Sequence, residues 1–363
     1  MRNVLFVVAP EAGHILPTLS LTRRLVSRGI KVSYWTAPQF RGLVESAGAG
    51  LEPMLHKNPV EQNFSGNHIW VQFTSTEWRL RAKLIEKAIR ALLHSQHFDL
   101  VLFDRLFATD YQCQIAKLVD EQRTLLFSTS LPNWRELEQR MLYSRMLIFC
   151  PVEFEIPKFR YPCSGLQYVE PSLRSCDEDT IPVADVDPTK PLVLATFGTQ
   201  SIRYRHLRDQ FRVIVELARR QTALQFVVAI GAAQRFNCED LSFIPSNLLV
   251  REKVPQRRLL EKAKVLISHG GLGSIKEAIV AGVPLVVLPA SHDQPFNAMR
   301  VRYHGLGEAI FPEQLSLKTL ETSVLAAVRG NYQYGLYAMQ EKFVAMEAAK
   351  PSDAVIEARL AGA

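Results

Sequence analysis

The sequence lacks any long hydrophobic run. Its first apolar stretch, Val4–Ala9, is broken by Pro10 and falls far short of the roughly 18 residues that a membrane-spanning helix needs. The stretch is also too short for a signal-peptide core, and no small-residue cleavage site follows it. It therefore predicts a first β-strand. These absences predict a cytoplasmic protein, with peripheral contact to the cytoplasmic face of a membrane as an open alternative.

Cysteine is also scarce, since the 363 residues include five cysteines and no C-x-x-C pair. Neither a disulfide framework nor a metal site is therefore predicted. Charge of one sign is modest: 43 Lys and Arg against 36 Asp and Glu give a net charge of +7, without a long basic tail. This surplus suits a small anionic ligand or a membrane surface better than nucleic acid, so no nucleic-acid partner is expected.

Short β-branched and apolar runs alternate with segments of helical periodicity. Two helices are predicted, Leu16–Arg28 and Glu77–His94, because apolar residues recur there on one face. Strands are predicted at Val4–Ala9, Lys31–Thr36, Leu100–Phe103, Thr124–Ser128, Leu192–Phe197, Gln225–Ile230, Leu248–Arg251, Val265–Ser268 and Pro284–Leu288. Such alternation is typical of parallel sheets joined by helical crossovers, so the fold class is α/β.

A proline-rich segment interrupts this alternation once. Seven prolines occur between Pro151 and Pro191, and no periodicity is sustained there. We therefore predict a linker at residues 181–190 between an N-terminal domain, residues 1–180, and a C-terminal domain, residues 191–363. Two doubly wound domains of this kind bind ligands at the carboxyl ends of their strands, facing a central cleft.

A histidine and an aspartate follow two of the N-terminal strands. The sequence Gly13-His14 comes soon after the first strand, and Pro17 fits the first turn of the next helix, so His14 is placed on the strand-to-helix turn. An imidazole there is a candidate general base, and Asp104, after the third strand, is a candidate partner that orients it. Two simpler roles stay open: a surface histidine and a helix-capping aspartate. A covalent hydrolase is disfavoured because no Ser or Cys occupies a nucleophile elbow.

The strongest motif of the C-terminal half is His269-Gly270-Gly271-Leu272-Gly273-Ser274. It lies between a predicted strand and a predicted helix that ends near Ala281. Glycines allow a ligand to approach the backbone, and a helix N-terminus attracts anions, so a diphosphate site is predicted. The motif is neither G-x-G-x-x-G nor a P-loop. Glu277 has a competing structural role in a capping box with Ser274.

Two further loops of this half follow predicted strands. Phe197-Gly198-Thr199 lies where a mononucleotide-binding fold holds phosphate, although the motif is weak. Asp293 and Gln294 offer carboxylate and amide groups that match sugar hydroxyls, or that simply form a polar turn. These loops extend the predicted ligand site of the C-terminal domain.

Taken in order, these segments resemble the nucleotide-sugar-dependent glycosyltransferases of family 1, and the resemblance covers nearly the whole chain. It rests on Gly13-His14-x-x-Pro17, Phe197-Gly198-Thr199, Val254-Pro255-Gln256, His269 to Ser274 with Glu277, Gly282-Val283-Pro284, and Asp293-Gln294-x-x-Asn297. The resemblance implies the GT-B fold, with the acceptor in the N-terminal domain and the donor in the C-terminal one. It also implies a last helix that packs back on the N-terminal domain.

The resemblance assigns roles by position. His14 would be the base and Asp104 its orienting acid. The donor diphosphate would contact Thr199, His269, Gly271, Gly273 and Ser274; the nucleoside would contact Val254, Gln256 and Glu277; and the sugar would contact Asp293 and Gln294. The implied reaction transfers a hexose from a UDP- or TDP-sugar with inversion, without a metal and without a cofactor beyond that co-substrate.

Departures from the plant pattern keep the donor nucleotide open, because Lys253 stands where plant enzymes have Trp and Gly273 where they have Asn. The acceptor is expected to be small and hydrophobic. Seven aromatic residues either line its site or belong to the core: Phe64, Trp70, Phe73, Trp78, Trp134, Tyr143 and Phe149. Alternatives are a lipid-linked glycosyltransferase, a catalytically silent sugar-nucleotide-binding partner protein and, less favoured, a nucleotide-sugar epimerase.

Overall fold

The computed structural model describes residues 1–53, 75–105, 119, 123–131, 146–160, 165–173, 186–198, 206–231 and 244–362. Within these ranges the chain forms two separate parallel β-sheets with helices between the strands. The predicted α/β class is thereby confirmed. Of the predicted linker, only residues 186–190 are described, so the domain limits stay predictions.

The N-terminal sheet has seven parallel strands in the order β3-β2-β1-β4-β5-β6-β7. They are β1 (Asn3–Val7), β2 (Lys31–Thr36), β3 (Gly50–Pro53), β4 (Leu100–Asp104), β5 (Thr124–Ser128), β6 (Met146–Ile148) and β7 (Leu166–Tyr168). Every residue of β4 and β5 is buried, as expected for parallel strands covered on both faces.

The C-terminal sheet has six parallel strands in the order β10-β9-β8-β11-β12-β13. They are β8 (Leu192–Thr196), β9 (Gln225–Ala229), β10 (Leu248–Arg251), β11 (Ala263–Ser268), β12 (Leu285–Val287) and β13 (Gly307–Ala309). This is the strand order of a Rossmann-like domain.

Helices connect the strands and close the chain. Those described are α1 (Ala12–Ser27), α2 (Arg41–Glu45), α3 (Ser75–Ser95), α4 (Leu207–Arg220), α5 (Gln256–Leu260), α6 (Leu272–Ala281), α7 (Gln294–Tyr303), α8 (Leu317–Val328), α9 (Gln333–Ala349) and α10 (Pro351–Ala361). None of the described helices has the length and apolar character required to cross a membrane.

Each sheet reverses its strand order at one point, between β1 and β4 in the first sheet and between β8 and β11 in the second. At these points β1 pairs with β4 and β8 pairs with β11. A doubly wound sheet opens a crevice there, because the connections on either side leave to opposite faces. The topology thus marks two places for ligands, one in each sheet.

All nine predicted strands are present, with end shifts of at most two residues. The prediction missed β3, β6, β7 and β13, which have only three or four residues each. The predicted start of α1 was wrong, because the helix begins at Ala12 and contains Pro17 in its second turn. The N–H groups of His14 and Ile15 both donate to the Glu11 carbonyl, at 3.0 and 3.2 Å, and these bonds begin the helix before the proline.

A buried tyrosine fixes α1 against the first sheet. The hydroxyl of Tyr34 on β2 lies 2.7 Å from Thr18 Oγ1 and 2.6 Å from Thr22 Oγ1, both on α1. Its ring stacks on Phe6 of β1 with 4.9 Å between centroids. Burial raises the pKa of this phenol to about 12, so it stays neutral. The helix that carries His14 is therefore tied to β2, the strand that follows it.

The last helix lies against the N-terminal sheet and α1. Ile356 and Leu360 of α10 are buried in the same apolar cluster as β1 and the inner face of α1. Polar contacts border this cluster: the Ser352 N–H donates to Glu170 Oε2 at 3.1 Å, and Arg24 of α1 pairs with Asp353 at 2.8 Å. These apolar and ionic contacts attach the last helix to the N-terminal sheet and to α1.

Candidate active site

The reversal point of the first sheet brings His14 and Asp104 together. Asp104 ends β4 and is 1% exposed, and His14 lies in the first turn of α1 with its side chain 20% exposed. His14 Nδ1 is 2.8 Å from Asp104 Oδ2, an oxygen that also accepts the Ala9 N–H at 3.1 Å. Because an ionised carboxylate only accepts hydrogen bonds, the neutral ring carries its proton on Nδ1 and its lone pair on Nε2.

The pKa of His14 lies above its ordinary value of 6.5. Burial lowers this pKa, but the charge of Asp104 and its hydrogen bond together raise it by more, and Glu11 raises it further. Arg105, beside Asp104, acts in the opposite direction; its guanidinium donates to Ser130 Oγ at 3.0 Å. The site thus stabilises an imidazolium, which is the state that a general base reaches after it takes a proton.

The surroundings of His14 differ from the prediction in two respects. His14 lies within α1 rather than on a preceding turn, and Gly13 has an ordinary negative φ, with nothing within 4 Å of where its Cβ would be. Gly13 therefore leaves open space beside the histidine. Sequence reasoning also missed Thr129, whose Oγ1 is 3.3 Å from His14 Nδ1; its place just after predicted strand β5 was the available signal.

At the reversal point of the second sheet, His269 follows β11 and is buried between two glycines. A Cβ on Gly198, which has a φ of +72°, would lie 2.7 Å from His269 Cε1, and one on Gly271 would lie 2.5 Å from Nε2. These glycines therefore accommodate the imidazole; their predicted role in admitting a ligand to the backbone stays a prediction. By contrast, Gly273 is exposed, with open space where its Cβ would be.

Burial lowers the pKa of His269 below 6.5, and the Thr196 carbonyl and the charge of Asp293 only partly offset it. Its Nδ1 lies 3.4 Å from the Thr196 carbonyl oxygen. The imidazole is therefore neutral near pH 7 in the free protein. Two histidines at matching points of two similar sheets thus have pKa values shifted in opposite directions.

The N-terminus of α6 follows His269 directly. Gly271 is the N-cap, no side chain caps the helix, and Ser274 is its third residue. The first-turn N–H groups of a helix lack intrahelical acceptors, and the helix dipole is positive there, so this end suits an anion. The alternative capping box of Ser274 with Glu277 was wrong, because the helix begins before Ser274.

Three of the residues assigned to the donor by resemblance meet beside this helix end. Gln256, the first residue of α5, donates its Nε2 hydrogens to Glu277 Oε2 at 2.7 Å and to Ser274 Oγ at 3.3 Å. Val254 is half-buried in the loop before α5 and packs on the core. The arrangement fixes the carboxylate of Glu277 on the second turn of α6, next to the helix N-terminus.

Asp293 and Gln294 lie at the start of α7. Gln294 is buried, and its Oε1 accepts the N–H groups of Ala290 and Ser291, both at 2.9 Å; this oxygen therefore forms the polar turn that the sequence left as an alternative. Asp293 Oδ2 accepts from Asn297 Nδ2 at 3.0 Å, and the same amide donates to the Gly270 carbonyl at 3.0 Å. The Asp293 turn is thereby linked to the glycine loop after His269.

A buried lysine joins α6 to the N-terminal half. Lys276 Nζ donates to the carbonyl oxygens of Phe149 and Pro171, at 3.0 and 2.5 Å, and burial lowers its pKa. Sequence reasoning missed this residue, although a lysine among Ile275, Ala278 and Ile279 on an apolar helix is an available signal. Its two bonds hold the helix of Ser274 and Glu277 against the N-terminal sheet.

Some predicted residues have no described site. Thr199 lies outside the described residues, as do the side chains of Phe64, Trp70, Phe73, Trp78, Trp134 and Tyr143. Phe149 is described, and it is a core residue, buried with its ring edge-to-face against Phe127 at 6.1 Å. In the described part of the chain, no cluster of three or more His, Cys, Asp or Glu side chains is arranged to hold a metal ion.

Known proteins resemble the chain along most of its length. Residues 217–361 match the family described as the erythromycin biosynthesis protein CIII-like C-terminal domain. The demethyllactenocin mycarosyltransferase of Streptomyces fradiae is 30% identical over 370 residues, which cover 88% of this chain and 78% of that relative. The NDP-glycosyltransferase YjiC of Bacillus licheniformis is 28% identical over 362 residues, covering 89% and 88%.

Solved structures share the fold. CalG4, the calicheamicin glycosyltransferase, matches with a TM-score of 0.77 at 21% identity over 99% of this chain and 98% of that one. The spinosyn rhamnosyltransferase SpnG, complexed with thymidine diphosphate, matches with a TM-score of 0.72 at 16% identity over 95% and 97%. These likenesses confirm the GT-B fold. With the sequence identity to the mycarosyltransferase, they establish that the chain belongs to the family 1 nucleotide-sugar-dependent glycosyltransferases.

Proposed function

We propose that this glycosyltransferase transfers a hexose, with inversion, from a UDP- or TDP-sugar to a hydroxyl group of a small hydrophobic acceptor. One observation carries the proposal: the reversal point of one sheet holds a His14–Asp104 pair, and that of the other holds a helix N-terminus suited to a diphosphate. Lys276 bonds the two halves directly. A base and an anion site on facing sheets are what glycosyl transfer requires.

His14 supplies the base. Its Nε2 lone pair takes the proton of the acceptor hydroxyl as the acceptor oxygen attacks the anomeric carbon, and the bond from that carbon to the diphosphate breaks on the opposite side. The proton ends on Nε2, where the resulting imidazolium is stabilised by Asp104. A single displacement from one side inverts the anomeric carbon.

The leaving diphosphate gains negative charge, and the first turn of α6 is preorganised to receive it. The open backbone at Gly273 admits a phosphate, and the hydroxyl of Ser274 and the imidazole of His269 lie next to that turn. These groups supply the electrostatic stabilisation of the leaving group, so the proposed reaction needs neither a metal ion nor a further cofactor.

The remaining donor contacts are those that the family resemblance assigns. Glu277, held by Gln256, offers a carboxylate to the ribose hydroxyls, and Val254 lies beside the nucleoside base. Asp293 and the amide of Gln294 face the transferred sugar. Thymidine diphosphate is the nucleotide in the SpnG complex, which supports including TDP-sugars among the donors. The names of the relatives support a natural-product acceptor.

A thermal-shift panel of UDP- and TDP-sugars tests the donor, because a ligand that binds only the folded state raises the melting temperature by mass action. The preferred nucleotide should give the largest shift. Mass spectrometry with a set of hydrophobic acceptors should then detect a hexosyl product, and NMR of the product should show an inverted anomeric configuration. A retained configuration, or binding without transfer to any acceptor, would contradict the proposal; the latter would favour a silent binding partner.

A further inference from the structure

An ion pair buried between the two halves connects the last turn of α7 to the N-terminal domain. Arg300, on α7, donates from Nε to Glu155 Oε1 at 2.8 Å and from Nη2 to Glu155 Oε2 at 2.9 Å. Glu155 lies just after the 3-10 helix Val152–Phe154, which follows β6. The side chains are 4% and 2% exposed. This two-point contact fixes the guanidinium in one plane.

The third side-chain nitrogen of Arg300 contacts a residue that lies beside the proposed donor site. Arg300 Nη1 donates to Asn297 Oδ1 at 3.1 Å. Since that oxygen is held, the Asn297 amide group points the other way, and its Nδ2 donates to Asp293 Oδ2 and to the Gly270 carbonyl, both at 3.0 Å. Asn297 is fully buried. A continuous chain of hydrogen bonds therefore runs from Glu155 to the carboxylate assigned to the sugar.

We propose that the Glu155–Arg300 pair is a positioning device for the donor sugar, which orients the Asp293 carboxylate through Asn297. The inference rests on the proposed function, in which Asp293 contacts the transferred sugar. Because Glu155 belongs to the N-terminal half and Asp293 to the C-terminal half, the contact between the halves adds a constraint on the carboxylate beyond the bonds that Asn297 makes within the C-terminal half. Sugar binding and the contact between the halves are thus coupled through one buried arginine.

Removing one member of a buried ion pair strongly destabilises a protein, whereas replacing both with apolar groups of similar size is often tolerated. The informative variant is therefore Glu155→Leu/Arg300→Met, with Arg300→Lys as a conservative single change. Arg302→Met is the matched control, because Arg302 is on the same helix but is exposed, with Glu308 3.8 Å away. Asp293→Asn tests the sugar contact itself.

Calorimetry with UDP-glucose, UDP, TDP-glucose and TDP separates the sugar from the nucleotide. In the double variant, the ratio of the Kd for the sugar nucleotide to the Kd for the matching diphosphate should rise about tenfold, and the Kd for the diphosphate should change less than about twofold. Arg300→Lys should give a smaller rise, and Arg302→Met none. Adding Asp293→Asn to the double variant should raise the ratio no further, since both changes act on one carboxylate.

Each failure has a different meaning. If Asp293→Asn alone raises the ratio and the double variant does not, the positioning role is wrong. If both Kd values rise equally in the double variant, the pair is merely structural and the inference is overturned. If Asp293→Asn leaves the ratio unchanged, or the wild-type chain binds neither sugar nucleotide, the proposed sugar contact fails and this inference fails with it.

Discussion

The two reversal points have the same topology and the same kind of residue, but opposite electrostatics. His14 follows the first strand of one sheet and is bonded to a buried carboxylate, whereas His269 follows the fourth strand of the other and is bonded to a backbone carbonyl. The pKa of the first is raised, and the pKa of the second is lowered. One crevice therefore favours a proton on histidine, and the other disfavours it.

The difference matches what each half is proposed to do. A general base must accept a proton during the reaction, so a nearby carboxylate that stabilises the charged ring is useful. A diphosphate is already negatively charged before it binds. The second site therefore does not need a charged histidine in the free protein, and it relies on the N-terminus of a helix and on close packing. The same fold thus serves acid–base chemistry in one half and anion binding in the other, through the neighbours of one side chain.

The largest expected effect comes from removing the first histidine. His14→Ala should lower kcat by about 10²- to 10⁴-fold, the usual contribution of a general base, because no other group is proposed to take the proton. The Kd for the sugar nucleotide should stay within about twofold of the wild-type value. Steady-state rates and calorimetry on the same preparation check this, and unchanged turnover would remove the base from the account.

A smaller effect is expected when the histidine stays and its partner loses charge. Asp104→Asn should lower kcat/KM by about 10²-fold. Because the neutral form of His14 is the base, activity rises as pH increases through its pKa. Asp104 raises that pKa, so the rise should move to lower pH in the variant. If the acidic limb of the kcat/KM profile lies at the same pH in the variant and in the wild-type protein, the assigned coupling between Asp104 and His14 is contradicted.

Substitutions of two glycines at the second reversal point should change the stability of the protein in opposite directions. Gly271→Ala should lower the free energy of unfolding by about 1–3 kcal/mol, because the added Cβ would overlap the His269 ring. Gly273→Ala is the matched variant, because the added Cβ would have open space around it and the residue lies in a helix. The free energy of unfolding of this variant should therefore rise by about 0.5 kcal/mol. Urea unfolding measures both. Donor affinity should fall in each, and equal stability changes would contradict the assigned packing.

The smallest effect concerns protons taken up with the donor. Because His269 is neutral in the free protein, a diphosphate placed beside it raises its pKa, and binding then takes up part of a proton. The affinity for a UDP- or TDP-sugar should therefore fall as pH rises, by at most about tenfold per pH unit. Calorimetry in buffers of different ionisation enthalpy detects the uptake. His269→Gln should abolish it, whereas His14→Gln should leave this uptake in place.

Many of the strands that carry the candidate site were predictable from the sequence, because each is a short apolar run that can be recognised locally. The strands that precede Asp104 and His269 are apolar runs with clear limits, and a doubly wound topology brings the ends of particular strands together. That rule places His14 and Asp104 near the same edge of the sheet, and the 2.8 Å contact between them comes from the structure. The missed strands, such as β6 and β7, are three residues long, and only pairing with neighbours distant in sequence makes them strands.

Other features could not be predicted because they depend on contacts between distant residues. Arg300 and Glu155 are 145 positions apart, and neither lies in a recognisable motif. The packing of Gly198 and Gly271 against the His269 ring also had no sequence signal, because only the folded chain places that side chain between them. The start of α1 was misplaced because Pro17 was treated as a first-turn signal, and an upstream Glu11 carbonyl determines where the helix begins.

The most direct test of the central contrast is an NMR pH titration of the nine histidines, with the two signals of interest assigned through His14→Gln and His269→Gln. The account predicts that His14 titrates above 6.5 and His269 below it. It also predicts that Asp104→Asn moves only the first of these pKa values by a large amount, and moves it downward. Equal pKa values for the two histidines, or the reverse order, would contradict the account.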